Sequence, residues 1–78
     1  MDTGRIARMA NQIAAFFASY PEAQAVEGTE DHIRKFWDPR MRAQLIALLE
    51  AEESGLSEVA LAAARRIQAT ATESVDSR

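Results

Sequence analysis

Seventy-eight residues with no cysteine, one histidine and a formal net charge of −3 exclude a disulfide scaffold and a thiolate metal site, and argue against a large catalytic cleft. Hydrophobic residues are 47% of the chain, but sixteen of them are alanine, so the core has few large side chains and docking onto a partner would supply missing burial. The acidic balance has the wrong sign for a chain whose affinity would come from neutralising phosphates.

Helical periodicity dominates, and no strand pattern competes with it. In the first predicted helix Ile6, Met9, Ala10, Ile13, Phe16, Phe17 and Tyr20 follow the i, i+3, i+4, i+7 rule, form the expected core face, and stop at Tyr20-Pro21. A second stripe of small residues, Ala7, Ala14 and Ala18 with Asn11 among them, lies about 100° away and suits the close approach of another helix. Residues Pro21 to Gly28 are predicted as a loop carrying at most a helical turn at Glu22 to Val26. Thr29 is predicted to cap a short second helix, with Ile33, Phe36 and Trp37 as its apolar face.

Asp38-Pro39 starts a third helix, Asp38 as cap and Pro39 at the first helical position, where its missing N–H costs nothing. This helix is expected to reach Glu53 and to bury Met41, Leu45, Leu48 and Leu49, with Ile46 off the face and Ser54-Gly55 as the stop. Ser57 caps the fourth, Leu56 staples against Leu61, and Val59, Ala60, Ala63, Ala64 and Ile67 point inward until about Gln68. The expected fold is all-α, a small bundle of about four short helices. Residues 1–68 form its single domain, and residues 69–78 are expected to be a flexible tail.

Chemistry-bearing constellations are sparse. His32 has Gly28 and Phe36 at its helical neighbours, so it reads as a surface or interface histidine rather than a metal ligand. Gly4, Gly28 and Gly55 are isolated and build no phosphate-cradling loop, and the glutamates 50, 52 and 53 read as a solvated helix end. No apolar run is long enough to span a membrane, the first residues lack the pattern of a secretory leader, and a cytoplasmic location is expected.

The informative stretch is His32 to Arg42, where Arg34, Lys35, Arg40 and Arg42 against Asp38 give a local charge of +3 around Phe36 and Trp37. Aromatics among arginines are the composition of interface anchors, although the only Trp of so short a chain also belongs naturally in its core. Arginines at a helix start oppose the dipole and are better neutralised by acids on a partner. Three function classes follow: an accessory subunit, a generic helical adaptor or homodimer, and a small DNA-binding regulator. The last ranks below protein binding, because the third helix turns acidic.

Two segments carry a resemblance to a known family. Met9 to Phe17 reads MANQIAAFF and His32 to Arg42 reads HIRKFWDPRMR, followed by a Leu-rich helix and a Gly-Leu-Ser helix start. Together these resemble the delta subunit of cytoplasmic, NAD-dependent, molybdenum-containing formate dehydrogenases. The resemblance implies a non-catalytic accessory subunit that supports assembly, cofactor insertion or stability of the alpha subunit, and through it meets the beta and gamma subunits. Molybdopterin guanine dinucleotide, iron–sulfur clusters, FMN and NAD are then expected in the complex, and none in this chain. Neither nucleic acid nor a membrane is an expected partner. Asn11, Arg34, Trp37, Arg40 and Arg42 are the residues expected at the surface that meets the alpha subunit.

Overall fold

The computed structural model describes residues 3–51 and 54–76, with side chains from residue 4 to residue 70 among them. Four helices account for the fold: α1 (Thr3–Phe16), α2 (Glu22–Phe36), α3 (Pro39–Leu48) and α4 (Glu58–Asp76), and no strand occurs among the described residues. The main partner of α2 is α4, α1 touches all three other helices, and α3 packs on α1 and α4. The expected all-α bundle of four helices is the observed architecture.

The face of α1 turned to the core draws on both of its expected stripes, and the expected core stripe is covered only in its N-terminal part, since Phe16 and Tyr20 are exposed. Ile6, Ala7, Ala10 and Ala14 are buried, whereas Met9 and Ile13 are half-buried and Phe16 is 74% exposed. The four buried residues share one core cluster with Ile33 and Trp37, with Leu45 and Leu48 of α3, and with Ala60, Ala64 and Ile67 of α4, and small side chains on α1 and α4 suit close helix packing there. Asn11, Ala14 and Ala18 accordingly run beside Ser57 to Val59 at the start of α4.

Residues Pro21 to Gly28 are not a loop. Pro21 stands at the N-cap, Ala25 donates to its carbonyl at 2.9 Å, and α2 continues unbroken through Gly28 and Thr29. Thr29 is therefore no cap: fully buried, its hydroxyl donates to the carbonyl of Ala25 at 2.8 Å. The stripe that drives the helix is Ala25, Val26, Thr29 and Ile33, all buried, with Ala25 and Val26 four and three residues before Thr29 and Ile33 four beyond it. Gly28 is tolerated inside it because the ring of Phe17 lies against its backbone; a Cβ there would stand 2.6 Å from Phe17 Cε1.

α3 begins as expected, with the Asp38 carboxylate accepting from the Met41 N–H at 2.8 Å and Pro39 in the first turn. It ends at Leu48 rather than Glu53, through three successive i to i+3 bonds ending on Leu49, Glu50 and Ala51. Leu45 and Leu48 are buried, Met41 and Leu49 half-buried, and Ile46, expected off the face, also packs on the core. Gly55 takes φ +79°, a left-handed conformation that glycine adopts without strain. Ser57 caps α4, accepting from the Ala60 N–H, and α4 runs to Asp76, past the end expected near Gln68. The tail expected over residues 69–78 falls for the most part on side chains outside the described ones.

Candidate functional site

The five residues singled out in the sequence do not form one patch. The carboxamide of Asn11 is spent on the fold: Nδ2 donates to the Gly55 carbonyl at 2.7 Å and Oδ1 accepts from the Ser57 N–H at 2.8 Å. It ties the middle of α1 to the chain entering α4. Arg34 pairs with Glu30 at 2.7 Å and donates to the Thr70 hydroxyl at 2.7 Å, while Arg66 reaches the second oxygen of Glu30, also at 2.7 Å. With the Glu30 side chain only 13% exposed, this is a cross-link between α2 and α4 rather than a free cationic surface.

Trp37 is buried in the core and its N–H closes α2 on the Ile33 carbonyl. The guanidinium of Arg42 turns back to donate to the carbonyls of Trp37 and Arg34, supplying donors to the last turn of α2. Arg40 differs from the rest: it is exposed and makes no ion pair among the described residues. The structure thus gives internal partners to Asn11, Arg34 and Arg42, a core position to Trp37, and an outward position to Arg40.

What the sequence reading did not mark as a site is the surface the bulky face of α1 leaves open. Met9, Ile13, Phe16 and Phe17 form one wall of a groove of about 630 Å³, and His32, Phe36 and Trp37 form the other. Phe16 and Phe36 stand on its two walls at 74% and 71% exposure. The aromatic rings are organised. Phe16 meets Phe17 edge-on at 5.0 Å, and the His32 imidazole lies 4.7 Å from the Phe36 ring. Gln12, His32 and the indole of Trp37 are the lining residues that carry a polar side-chain group. The signal is present in the sequence as the apolar stripe Met9, Ile13, Phe16, of which Met9 and Ile13 also pack on the core while Phe16 is exposed.

A contiguous exposed apolar surface of this kind marks an interaction site rather than chemistry. No group of three His, Asp or Glu side chains converges in a way that could hold a metal ion among the described residues. The His32 imidazole lies against the Phe36 ring. Among the described residues no helix is long and apolar enough to cross a membrane.

Comparison with protein families finds a match over residues 5–64 to the model described as NADH-dependant formate dehydrogenase delta subunit FdsD. The chain belongs to this family. No curated protein and no solved structure matches it. The matched span takes in α1 from its third residue, α2, α3 and the first turns of α4, and so includes the groove and all five residues discussed above. As a formate dehydrogenase delta subunit, the chain is part of a multi-subunit enzyme and associates with other subunits of that complex.

Proposed function

We propose that this delta subunit is a non-catalytic, cytoplasmic accessory subunit that docks onto the alpha subunit of the dehydrogenase, and through it meets the beta and gamma subunits. Its contribution is to the assembly, cofactor insertion or stability of the alpha subunit. The observation that carries this reading is the division of labour among its side chains. The polar groups best able to do chemistry, Asn11, Arg34, Glu30 and Arg42, are consumed in holding the helices together, while large aromatics face outward. A protein whose polar groups stabilise itself and whose apolar groups face solvent is built to bind another protein.

In this reading the molybdopterin guanine dinucleotide, iron–sulfur clusters, FMN and NAD site reside in the partner subunits, where formate is oxidised and electrons pass to NAD. This chain has no thiolate to offer a cluster. The test is affinity capture of the tagged full chain from its native cells, with metal assay of the eluate, alongside a strain lacking the chain. Capture of a molybdenum- and iron-containing dehydrogenase is the expected result. Lower molybdenum per alpha subunit in the deletion strain would assign cofactor insertion, and unchanged loading with faster loss of the complex would assign stabilisation. Capture of the chain alone refutes the proposal.

A further inference from the structure

We infer that the cleft where the end of α2, the start of α3 and α4 meet receives an aspartate or glutamate side chain of a partner subunit of the dehydrogenase, with aliphatic neighbours of that acid covering the rest of the cleft. The inference rests on the accessory-subunit reading and adds to it a place and a chemistry of contact.

Positive charge is left over at this cleft. It has a volume of about 380 Å³, Arg34 and Arg42 line it together with Thr70, and no Asp or Glu does so among the described residues. The internal bonds of these arginines hold the fold without cancelling their charge. Glu30 pairs with Arg34 and with Arg66, at 2.7 Å each, so one carboxylate stands against two guanidiniums. Arg42 makes no ion pair among the described residues. Its partners are the carbonyls of Arg34 and Trp37, which accept hydrogen bonds and carry no net charge. Three guanidiniums thus share one negative charge, a balance of +2 in a chain whose net charge is −3. With the Arg34 side chain 34% exposed and that of Glu30 13%, the cluster is partly buried, and its excess charge is screened less than on open surface.

The same bonds hold the cations in place. Both carbonyl bonds of Arg42 leave from Nη1, and Arg34 donates to Glu30 from Nε and to Thr70 from Nη2, so two guanidiniums lining one cleft are fixed before any partner arrives. Donors ordered in advance lower the entropy lost on binding, and the planar fork of a guanidinium matches the two oxygens of a carboxylate. Much of the remaining lining is apolar: Ile67 is buried, Ile46 half-buried and Ala43 exposed. A free inorganic anion would leave that apolar surface uncovered. An acidic side chain within a protein segment brings aliphatic neighbours to it, and a delta subunit of a multi-subunit dehydrogenase meets such segments in its partners.

The experiment supplies the missing carboxylate from within the chain. Ala43 is exposed on α3 and lines the cleft, so Ala43→Glu and Ala43→Gln add the same bulk there and differ in charge. The tagged full chain is made in wild-type form and as each variant in cells that produce the dehydrogenase, and helical content and urea midpoint are measured on the purified chains. Ala43→Glu should be at least as stable as Ala43→Gln, because its carboxylate meets an unbalanced positive cluster. It should nevertheless recover about tenfold less dehydrogenase than Ala43→Gln, because it occupies the partner's place and repels the partner's acid. A folding defect would lower stability and recovery together. A photo-crosslinking residue at position 43 of the otherwise unaltered chain should join to a segment of a dehydrogenase subunit that contains Asp or Glu, and this result decides alone if either variant fails to fold. Equal recovery by the two folded variants overturns carboxylate recognition. A crosslink to a second copy of this chain, or none to the dehydrogenase, overturns the cleft as the place of contact while leaving the accessory-subunit reading standing. Failure of the wild-type chain to recover any dehydrogenase overturns both.

Discussion

Replacing Asn11 with alanine separates a residue that holds the fold from one that meets a partner. The carboxamide bridges 44 residues to the Gly55 carbonyl and 46 residues to the Ser57 N–H, so both bonds are long-range and both are lost on truncation. A net protein hydrogen bond contributes about 0.5–1.5 kcal/mol. Gly55 and Ser57 are exposed, so water reaches their backbone groups after truncation and no full desolvation penalty is incurred. The expected loss is therefore about 1–2 kcal/mol for the pair of bonds. For a domain of this size, at about 4–8 °C per kcal/mol, the melting temperature should fall by about 5–15 °C. Asn11→Asp keeps the acceptor for Ser57 and places a negative charge near the start of α4, but sets a carboxylate oxygen against the Gly55 carbonyl. Its stability should fall between those of the wild type and Asn11→Ala. Urea titration followed by far-UV circular dichroism reads both variants, with recovery of dehydrogenase measured in parallel. Wild-type stability of Asn11→Ala together with lost recovery would show that Asn11 is a partner contact and refute the clamp.

Three further outcomes test the packing. Gly28→Ala should be more favourable by at least about 1 kcal/mol in a Phe17→Ala background than alone, because the gain in helix propensity is opposed only while the Phe17 ring occupies the space; additive effects in the double-mutant cycle would contradict the contact. Arg42→Ala should lower stability by about 1–2 kcal/mol, read as a lower urea midpoint at constant slope, and Arg42→Lys should restore only part of this, since an ammonium lacks the guanidinium's planar set of donors; a lysine variant of wild-type stability would show that charge alone suffices. Leu45→Ala, at a fully buried site, should cost about 2–5 kcal/mol, a large fraction of what a chain this short can hold, and calorimetry showing a loss under 1 kcal/mol would mean that the core collapses around the gap.

Local chemistry was the most legible layer of this sequence. Asp38-Pro39 and Ser57 announce helix starts because a short polar side chain and a fixed φ act within one turn, and both starts stand as expected. The segment from Pro21 to Gly28 was misread for the converse reason. Pro, Gly and Thr are loop signals on local propensity, yet Ala25, Val26 and Ile33 bury a continuous stripe, and Gly28 is needed by an aromatic ring from another element. The expected length of α3 overshoots because apolar periodicity continues past Leu48 to Leu49, whereas the backbone there tightens into i to i+3 bonds that periodicity does not register. Of the residues singled out, Arg34 and Arg42 stood out by charge, but charge carries no record of the internal carbonyls, carboxylate and hydroxyl that occupy them.

The sequence by itself determined that the chain is helical, that its helices begin near Asp38 and Ser57, that it has no thiolate chemistry, and that it belongs with formate dehydrogenase delta subunits. Those properties follow from periodicity, capping side chains, composition and motif, each readable along the chain. Tertiary structure alone decided how deeply each residue of the two stripes on α1 lies: Ile6 and Ala10 of the first and Ala7 and Ala14 of the second are buried, Met9 and Ile13 pack half-buried on the core, and Phe16 stands exposed across a groove from Phe36. Helical periodicity gives the face on which a residue lies, and its neighbours in space decide how far that residue is covered.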